Sequence, residues 1–398
     1  MPYATGWCCI ASSTNAAVVP SVDLSSIIRP GDGLIWGQAC AEPQTLVEAL
    51  LAQRSALTGC SVFLGSSYSG LVRPEHADHL RFSSYCGTGA NRALADAGVL
   101  QILPSPYSQL GALIRSGRIR CDVAMLQVSR PNARGEFSLG LAVEYLAPAL
   151  EASRAIIAEV NDQIPWTHTQ PLLRRDDFDL MLESSRAPVY LESEPPSALE
   201  QRIAQHAAGW VPDGATVECG IGALPNAILA ALRDRKLSCH SGVVCDAVRL
   251  VRPKSCVGGA LMGTPALFEW ARENTALRLV SSDITHGAAT LAKIERFVAV
   301  NSAVEVDLTG QVNGELARGS YVGAVGGALD FIRAANQSPG GVSIVALPAS
   351  RVVEHLSGPV SVPRSEAGLF VTEHGVADLR GCTLAERERR MKKISENS

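Results

Sequence analysis

Two glycine-containing loops carry the first arrangement in this sequence that could do chemistry. One loop reads GQACAEP over residues 37–43, and the other reads GIGALP over residues 220–225. Each follows a short apolar run and precedes a helical pattern, so its backbone N–H groups should stabilise an anion or a developing oxyanion. The alternative is that the glycines only permit tight turns and close packing. The second loop is not a dinucleotide fingerprint, because Pro225 stands where that motif has its third glycine.

The cysteines are a second set of candidate reactive groups. There are 11, an odd number, with Cys8 and Cys9 as the one adjacent pair and no CxxC spacing. This pattern indicates reduced thiols in a cytoplasmic protein and argues against a disulfide framework or a zinc site. Cys219, beside the second glycine loop, is a conceivable thiol nucleophile, but the sequence identifies no base to activate it. A free cysteine usually packs as a small apolar side chain.

The elements that must position the two loops repeat along the chain. PGDGLIWG at 30–37, followed by Pro43, corresponds to PDGATVECGIG at 212–222, followed by Pro225. Apolar residues recur three, six and seven positions after each proline, which gives one apolar helical face. Each copy therefore predicts a turn, a buried strand, a glycine loop and a helix that opens near a proline. Repeated units of this kind predict an α/β fold with a mostly parallel sheet in each half.

The same pattern sets the expected organisation of the chain. A length of 398 residues suits two domains. The polar Pro-Pro stretch at 191–197 is the best linker and places the boundary near Pro195, which gives domains 1–195 and 196–398. The second half should open with strand 215–219, helix 225–234 and strand 237–241. Further buried strands are predicted at 123–128, 155–160, 242–245, 278–280, 297–300 and 342–347.

Composition excludes several classes of function. The 46% hydrophobic and 19% charged fractions predict a globular protein, and a net charge of -4 with 5% aromatic residues lacks the footprint of a nucleic-acid binder. The basic stretch RERRMKK at 387–393 is expected to be a solvated helix end. The sequence contains no run of about 18 to 20 apolar residues, so it predicts no membrane span. Residues 1–13 lack the features of a secretory signal, so we expect a cytoplasmic protein with no membrane partner.

Seven segments, taken in order, resemble those of one family. Besides the two glycine loops they are VSRPNARGEFSLG at 128–140, VNDQIPWTH at 160–168, NSAVEVDLTGQVN at 301–313, GAVGGALDF at 323–331 and VTEHGVADL at 371–379. On these motifs the chain is similar to the acetyl-CoA hydrolase/CoA-transferase family, which includes acetate, succinate and 4-hydroxybutyrate CoA-transferases. The resemblance covers essentially the whole chain.

The resemblance implies two similar CoA-transferase-type halves with the active cleft between them. CoA or acyl-CoA is then a substrate and not a permanent cofactor, joined by an acceptor carboxylate if the reaction is transfer. A homo-oligomer is compatible with the resemblance, and neither a metal nor a nicotinamide is implied. The residues expected to bind CoA are Gly220, Gly222, Gln311, Asn313, Gly323, Gly326 and Gly327, and an oxyanion loop is expected from Gly37, Ala39 and Glu42.

The chain departs from the family at the centre of its chemistry. Family transferases carry their nucleophilic glutamate in a segment of the form His-Ser/Thr-Glu-Met/Leu-x-Ser-Asp-Gly. The matching residues 240–247 read HSGVVCDA, with Gly242 at the glutamate position, and the family's Gly-Gly-Gln becomes Gly326-Gly327-Ala328. Because glycine has no side chain that can attack a thioester, ping-pong transfer through position 242 is excluded.

Three outcomes stay open. Water can replace the glutamate, which gives an acyl-CoA hydrolase with a nearby carboxylate or histidine as its base. Glu218 can take over, since relatives usually carry Gln there and since strands 215–219 and 237–241, if direct neighbours, would start Glu218 and Gly242 about 5 Å apart. Catalysis can also be lost, which leaves a CoA- or acyl-CoA-binding protein or partner subunit.

We expect hydrolysis, or an altered CoA transfer, on the thioester of a small or medium carboxylic acid. A buried Glu218 would have a raised pKa and would suit a base better than a nucleophile. Asp246, which keeps the family's acid, either orients its loop or takes part directly, and His240 either assists a base or packs as a hydrogen-bonded core residue. Glu305 and Asp307 either approach the cleft or stabilise a turn.

Overall fold

The computed structural model describes residues 22–395 and the backbone of the strand Trp7–Cys8. Cys9 and most of residues 1–13 lie outside the described residues. None of the described helices has the length and apolar character that crossing a membrane requires.

The first half is organised around a seven-stranded sheet in which every pair of neighbours is parallel. Its strands are β1 (Gly33–Trp36), β2 (Ser61–Leu64), β3 (Arg81–Ser84), β4 (Leu100–Ile102), β5 (Val123–Val128), β6 (Ala155–Asn161) and β7 (Leu180–Ser184). Across the sheet they lie in the order β4-β3-β2-β1-β5-β6-β7.

The second half repeats this topology. Its strands are β8 (Thr216–Cys219), β9 (Ser238–His240), β10 (Cys256–Gly258), β11 (Leu277–Leu279), β12 (Phe297–Asn301), β13 (Val342–Ala346), β14 (Leu369–Thr372) and β15 (Gly375–Asp378). They lie in the order β11-β10-β9-β8-β12-β13-β14-β15, and the pair β14–β15 is antiparallel. The first seven strands of each half thus follow one spatial order, so the prediction of two similar α/β halves is confirmed.

Helices pack on these sheets and connect their strands. The described α-helices are α1 (Gln44–Gln53), α2 (Asn91–Asp96), α3 (Leu110–Arg115), α4 (Leu146–Ala152), α5 (Ala198–Ala208), α6 (Ala223–Ala231), α7 (Val248–Val251), α8 (Pro265–Ala271), α9 (Ser282–Thr285), α10 (Ala288–Leu291), α11 (Ala328–Gln337) and α12 (Leu384–Lys392). Short 3-10 helices occupy Leu24–Ser26, Ala39–Ala41, Pro74–Asp78, Tyr107–Gln109, Arg175–Asp177 and Ala349–Arg351.

Short strands outside the two sheets form small separate ladders. The paired segments are Trp7–Cys8 with Glu192–Ser193, Val243–Val244 with Ala260–Leu261, Glu305–Asp307 with both Val312–Asn313 and Val352–Val353, and Leu316–Ala317 with Ser320–Tyr321. The predicted strand at 242–245 is therefore wrong in extent. Gly242 lies outside its two-residue strand because its carbonyl accepts the N–H groups of Gly259 and Ala260 at a break between two ladders.

Central strands are continuous apolar runs because both faces of a parallel sheet are covered. All residues of β1, β5 and β13 are buried, for example. The predicted strands at 123–128, 155–160, 278–280, 297–300 and 342–347 accordingly match observed strands to within one residue at each end.

The two helices that follow the glycine loops both begin near their prolines, as predicted, but the second covers 223–231 and not 225–234. Helix α1 begins directly after Pro43, but α6 begins at Ala223, two residues before Pro225. Gly222 caps α6 with φ of 123°, a conformation that favours glycine, and its carbonyl accepts the N–H of Asn226 at 3.1 Å. Proline is tolerated at the third helical position because that N–H would also lack an intrahelical partner. The predicted linker falls between β7 and α5, and the division into 1–195 and 196–398 stays a prediction.

Backbone hydrogen bonds between loops join the two halves. The N–H of Val143 donates to the carbonyl of Gly259 at 2.9 Å, and the N–H of Ser282 donates to the carbonyl of Glu144 at 3.1 Å. Farther along the junction, the N–H of Tyr107 donates to the carbonyl of Gly326 at 2.9 Å. These hydrogen bonds hold loops from both halves around the cavity described below.

Candidate active site

A cavity of about 230 Å³ lies at the junction of the two halves. The first half lines it with Gln38, Ser66, Tyr85, Cys86, Thr88, Tyr107 and Glu144, and the second with Glu218, Cys219, Gly220, Ile221, Ser241, Gly242, Val243, Met262, His286, Asn301, Ala324, Gly326, Gly327, Ala328 and Phe331. None of the described residues that line this cavity is Lys or Arg.

Glu218 presents its carboxyl group at the end of β8. It is 3% exposed, and its Oε2 accepts a hydrogen bond from Nδ2 of Asn301, at the end of the neighbouring strand β12, at 2.9 Å. Burial raises the pKa of Glu218 to about 8, and the Asn301 hydrogen bond opposes part of that rise. A carboxyl group with a pKa near neutrality can exchange protons with a reacting group.

Position 242 also faces the cavity, but the ring of His286 fills the adjacent space. A Cβ atom on Gly242 would lie 2.8 Å from Cε1 and 2.9 Å from Nε2 of His286, closer than real Cβ contacts occur. The ring packs against Tyr107 and Phe331, with centroid separations of 4.7 and 4.5 Å. Burial lowers the pKa of His286 to about 3, so the imidazole is neutral.

Glu218 and Gly242 are farther apart than the sequence predicted. Strands β8 and β9 are direct parallel neighbours, as expected, with Thr216 opposite Ser238 and Val217 opposite Cys239. That register sets Glu218 level with His240, so Gly242 lies two residues beyond it. Strand geometry then separates the two backbone positions by about 8 Å, not about 5 Å. They share the cavity without being adjacent.

Glu144 is a second carboxyl group in the cavity, contributed by the first half. It is 2% exposed and has φ of 37°. Nε2 of Gln38 donates to its Oε2, and the hydroxyl of Tyr107 also hydrogen-bonds to its carboxyl group. Burial raises the pKa of Glu144 to about 7, and these two hydrogen bonds hold it below the value that burial alone would give.

Gln38 belongs to the first glycine loop, and its orientation is fixed. Its Oε1 accepts the N–H of Ser66 at 2.8 Å and the hydroxyl of Tyr85 at 2.9 Å. The backbone N–H can only donate, so Nε2 must point toward Glu144 and Tyr107. The loop therefore reaches the cavity through the side chain of Gln38.

The three residues predicted for the oxyanion loop do not line the cavity. Gly37 precedes Gln38, and the N–H of Ala39 donates to the carbonyl of Ser66 at 2.7 Å, so it is occupied. Glu42 is 1% exposed and accepts hydrogen bonds from the N–H groups of Tyr68 at 2.7 Å and Ser69 at 3.3 Å. Glu42 thus holds the loop 67–69 in place.

Asp246 and His240 are likewise engaged outside the cavity lining. Asp246 accepts the N–H and the hydroxyl of Thr264 at 2.8 and 2.7 Å and pairs with Arg249. Nε2 of His240 lies 2.9 Å from the carbonyl of Thr285, and burial lowers its pKa. Both side chains thus flank the loop that carries position 242 and bond to residues that do not line the cavity.

The residues predicted to bind CoA divide into two groups. Gly220, Gly326 and Gly327 line the cavity, whereas Gly222, Gln311, Asn313 and Gly323 do not. Gln311 and Asn313 instead hold turns, donating from their side-chain amides to Asp307 at 2.6 Å and to Glu305 at 3.0 Å. Gly323 accepts the N–H of Gly87 at 2.9 Å through its carbonyl.

Four residues that define the cavity were absent from the sequence prediction: Gln38, Glu144, His286 and Asn301. Gln38 and Asn301 lie within the motifs at 37–43 and 301–313. They could have been predicted as polar side chains next to a glycine and at the end of a strand. Glu144 and His286 follow no pattern that marks them, because only the packing of the two halves brings them together. Among residues 22–395 no cluster of three or more His, Cys, Asp or Glu side chains is placed to hold a metal ion.

Sequence and structure comparisons agree with this architecture. The acetyl-CoA hydrolase/transferase N-terminal domain matches residues 17–176, and the C-terminal domain of the same family matches residues 263–398. The chain is 31% identical to 4-hydroxybutyrate coenzyme A transferase of Clostridium kluyveri, over 91% of this chain and 90% of that protein.

Two solved structures have closely similar folds. RipA from Yersinia pestis superposes with a TM-score of 0.89 at 28% identity, covering 94% of this chain and 92% of that one. A 4-hydroxybutyrate CoA-transferase from Porphyromonas gingivalis superposes with a TM-score of 0.76 at 28% identity and the same coverage. On these matches, the protein is an enzyme of the acetyl-CoA hydrolase/transferase family.

Proposed function

We propose that this enzyme hydrolyses the acyl-CoA thioester of a small or medium carboxylic acid, with water in place of the missing glutamate and Glu218 as a proton-transferring carboxyl group. The observation that carries the proposal is that Gly242 and the buried Glu218 face one cavity, while the ring of His286 fills the space in which a side chain at 242 would begin.

The electrostatics of the cavity favour water over a second carboxylate as the acyl acceptor. Glu144 and Glu218 both face it, and none of the described lining residues is Lys or Arg. An acceptor carboxylate would be desolvated in this cavity with no cation to balance its charge. Water meets no such penalty. The same argument favours acyl groups without a negative charge.

Altered CoA transfer through Glu218 is the second candidate. It is supported by the presence of this carboxyl group in the cavity onto which Gly242 opens. Its raised pKa weakens it as a nucleophile at neutral pH, since the protonated form cannot attack a thioester. Hydrolysis is therefore the first proposal.

Further features of the reaction follow as proposals. The reaction needs only acyl-CoA and water, so we propose CoA as substrate with no permanently bound cofactor, and Gly220, Gly326 and Gly327 as backbone contacts to it. We also propose a cytoplasmic location, supported by the described cysteines, which are all buried except Cys382 and are scattered without a paired spacing. A homo-oligomer stays an expectation from the family.

The test follows free thiol and new thioester with acetyl-CoA and butyryl-CoA, each with and without an acceptor carboxylate. We expect thiol release that needs no acceptor. Glu218→Gln, which keeps the size of the side chain but cannot exchange the proton, should lower kcat by about 100-fold or more. Glu183→Gln, at an exposed position on β7, is the matched control and should leave the rate unchanged.

The outcomes separate the alternatives. Acceptor-dependent thioester formation that is lost in Glu218→Gln would support altered transfer instead of hydrolysis. Tight acyl-CoA binding with no turnover under any of these conditions would refute the enzymatic proposal and would indicate a binding protein or a partner subunit.

A further inference from the structure

We propose that Glu144 is a second catalytic residue, which removes a proton from the attacking water while Glu218 protonates the departing CoA thiolate. This inference rests on the proposed hydrolysis and assigns the base to Glu144, whereas the sequence had suggested Glu218 for that role. The first half of the chain would thereby supply the base, and the second half the acid.

The hydrogen bonds around Glu144 suit an ionised carboxylate. The amide of Gln38 cannot be flipped, because the N–H of Ser66 fixes its Oε1. Its Nε2 must therefore donate to Glu144. Nε2 also donates to the hydroxyl of Tyr107 at 3.0 Å, which leaves the Tyr107 proton free to point at Glu144. Two donors aimed at one carboxyl group favour its charged form.

Glu218 also has two donors, but they come from a strand end of the second half. Nδ2 of Asn301 donates to its carboxyl group at 2.9 Å, and the backbone N–H of Val300 also hydrogen-bonds to it. Burial raises the pKa of Glu218 to about 8 and that of Glu144 to about 7, so Glu218 holds its proton to a higher pH. Two carboxyl groups in one cavity whose pKa values are ordered in this way can divide the roles of base and acid between them.

The position of Glu144 is set by the backbone that also holds position 242. Gly259 donates its N–H to the carbonyl of Gly242 at 3.0 Å, and a Cβ atom on Gly259 would lie 2.9 Å from Cγ of Glu144. The Glu144 side chain thus packs against Gly259, whose N–H is hydrogen-bonded to the carbonyl of Gly242. A carboxyl group from the other half reaches the region where the family's nucleophile is absent.

The proposed step is balanced in atoms and protons. An O–H bond of water breaks and its proton passes to Glu144 as the water oxygen bonds to the thioester carbonyl carbon. The C–S bond then breaks, and the sulfur takes the proton of Glu218. The products are the free carboxylic acid and CoA thiol. Return of one proton from Glu144 to Glu218 through water restores the starting state.

Other titratable groups around Glu144 and Glu218 do not explain the expected pH dependence. Burial raises the pKa values of the neighbouring tyrosines and of Cys219 well above their ordinary range, and lowers that of His286 to about 3; these groups are Tyr85, Tyr107, Tyr145, Cys219 and His286. The cavity thiol of Cys86 is tested directly by Cys86→Ser, which should leave both limbs of the profile in place.

The experiment measures kcat/KM for acetyl-CoA and butyryl-CoA hydrolysis from about pH 5 to about pH 9.5, using a thiol reagent that works across this range. Wild type should give a bell-shaped profile with its maximum between the two carboxyl pKa values of about 7 and about 8. Glu144→Gln should lose about 100-fold or more in kcat and should lose the acidic limb.

Tyr107→Phe provides a variant that keeps both carboxyl groups. Removing its hydroxyl takes away one donor to the Glu144 carboxylate, so the acidic limb should move up by roughly one pH unit while the alkaline limb stays in place. Thermal unfolding of each variant checks that it folds. A structural role for Glu144 would lower the rate at every pH without shifting this limb.

Failure of this inference differs from failure of the proposed function. If wild type hydrolyses the thioester while Glu144→Gln keeps its rate and acidic limb, or while Tyr107→Phe leaves that limb in place, the role of Glu144 is refuted and hydrolysis stands. If wild type releases no thiol from either substrate, both are refuted.

Discussion

The ring of His286 is the residue-level reason that position 242 has no room for a side chain in the observed arrangement. Gly242 does not have a positive φ, so its backbone would accept any side chain, and the obstacle is the imidazole 2.8 Å from an added Cβ. Overpacking of this kind costs about 1–3 kcal/mol, because neighbours must leave their preferred positions.

We therefore expect Gly242→Glu to lower the free energy of unfolding by about 1–3 kcal/mol, and the double variant Gly242→Glu/His286→Ala to recover at least about 1 kcal/mol relative to the sum of the single changes. Urea denaturation of the four proteins measures this coupling. Gly209→Glu, at an exposed site where an added Cβ comes no closer than 3.4 Å to other atoms, is the control. Strict additivity of the two changes would show that His286 does not occupy the space.

Among the elements, β6 fixes helix α1 through one buried carboxylate. Glu159 on β6 is fully buried and accepts the N–H groups of Thr45 at 2.9 Å and Leu46 at 3.2 Å, at the start of α1. It also accepts the hydroxyls of Thr45 at 2.7 Å and Ser184 at 2.8 Å. A negative charge at this end of a helix is favoured by the unpaired N–H groups and the helix dipole.

Glu159→Gln should lower the free energy of unfolding by about 1–3 kcal/mol, because the amide leaves at least one buried donor unpaired. Urea denaturation checks this, with Glu183→Gln on the adjacent strand expected to stay within about 0.5 kcal/mol of wild type. Equal effects of the two substitutions would contradict the anchoring role of Glu159.

The sequence predicted elements better than it predicted the site. Strands such as β5 and β13 are buried on both faces, so their apolar runs identify them without knowledge of their neighbours. The exception, 242–245, is cut short by hydrogen bonds to the distant residues Gly259 and Ala260. Glu218 could be predicted because a motif flanks it, whereas Glu144 and His286 enter the cavity from loops that only tertiary packing brings there.

At the scale of the whole molecule, two acidic groups should make stability depend on pH. Glu144 and Glu218 have folded-state pKa values of about 7 and about 8, against an ordinary value of 4.5. Between these limits the folded protein binds more protons than the unfolded chain, so stability falls as pH rises. Their stabilising contribution is complete below about pH 4.5 and is lost as pH passes through the folded-state values.

We expect the double variant Glu144→Gln/Glu218→Gln to be inactive and to gain stability over wild type as pH rises from about 5 to about 8, by up to ~1.4 kcal/mol per pH unit for each group. Chemical denaturation at several pH values measures the difference. A difference that does not change with pH would show that neither carboxyl group is desolvated in solution. A positive result would mean that the molecule keeps a destabilising pair for its activity.

The placement of the His286 ring also has a consequence for anyone searching for transferase activity by randomisation. A Cβ atom on Gly327 would lie 2.4 Å from Nε2 of His286, just as one on Gly242 would collide with the same ring. In libraries that diversify either glycine alone, most members should therefore lose stability. Productive combinations should appear only when positions 242, 286 and 327 are varied together.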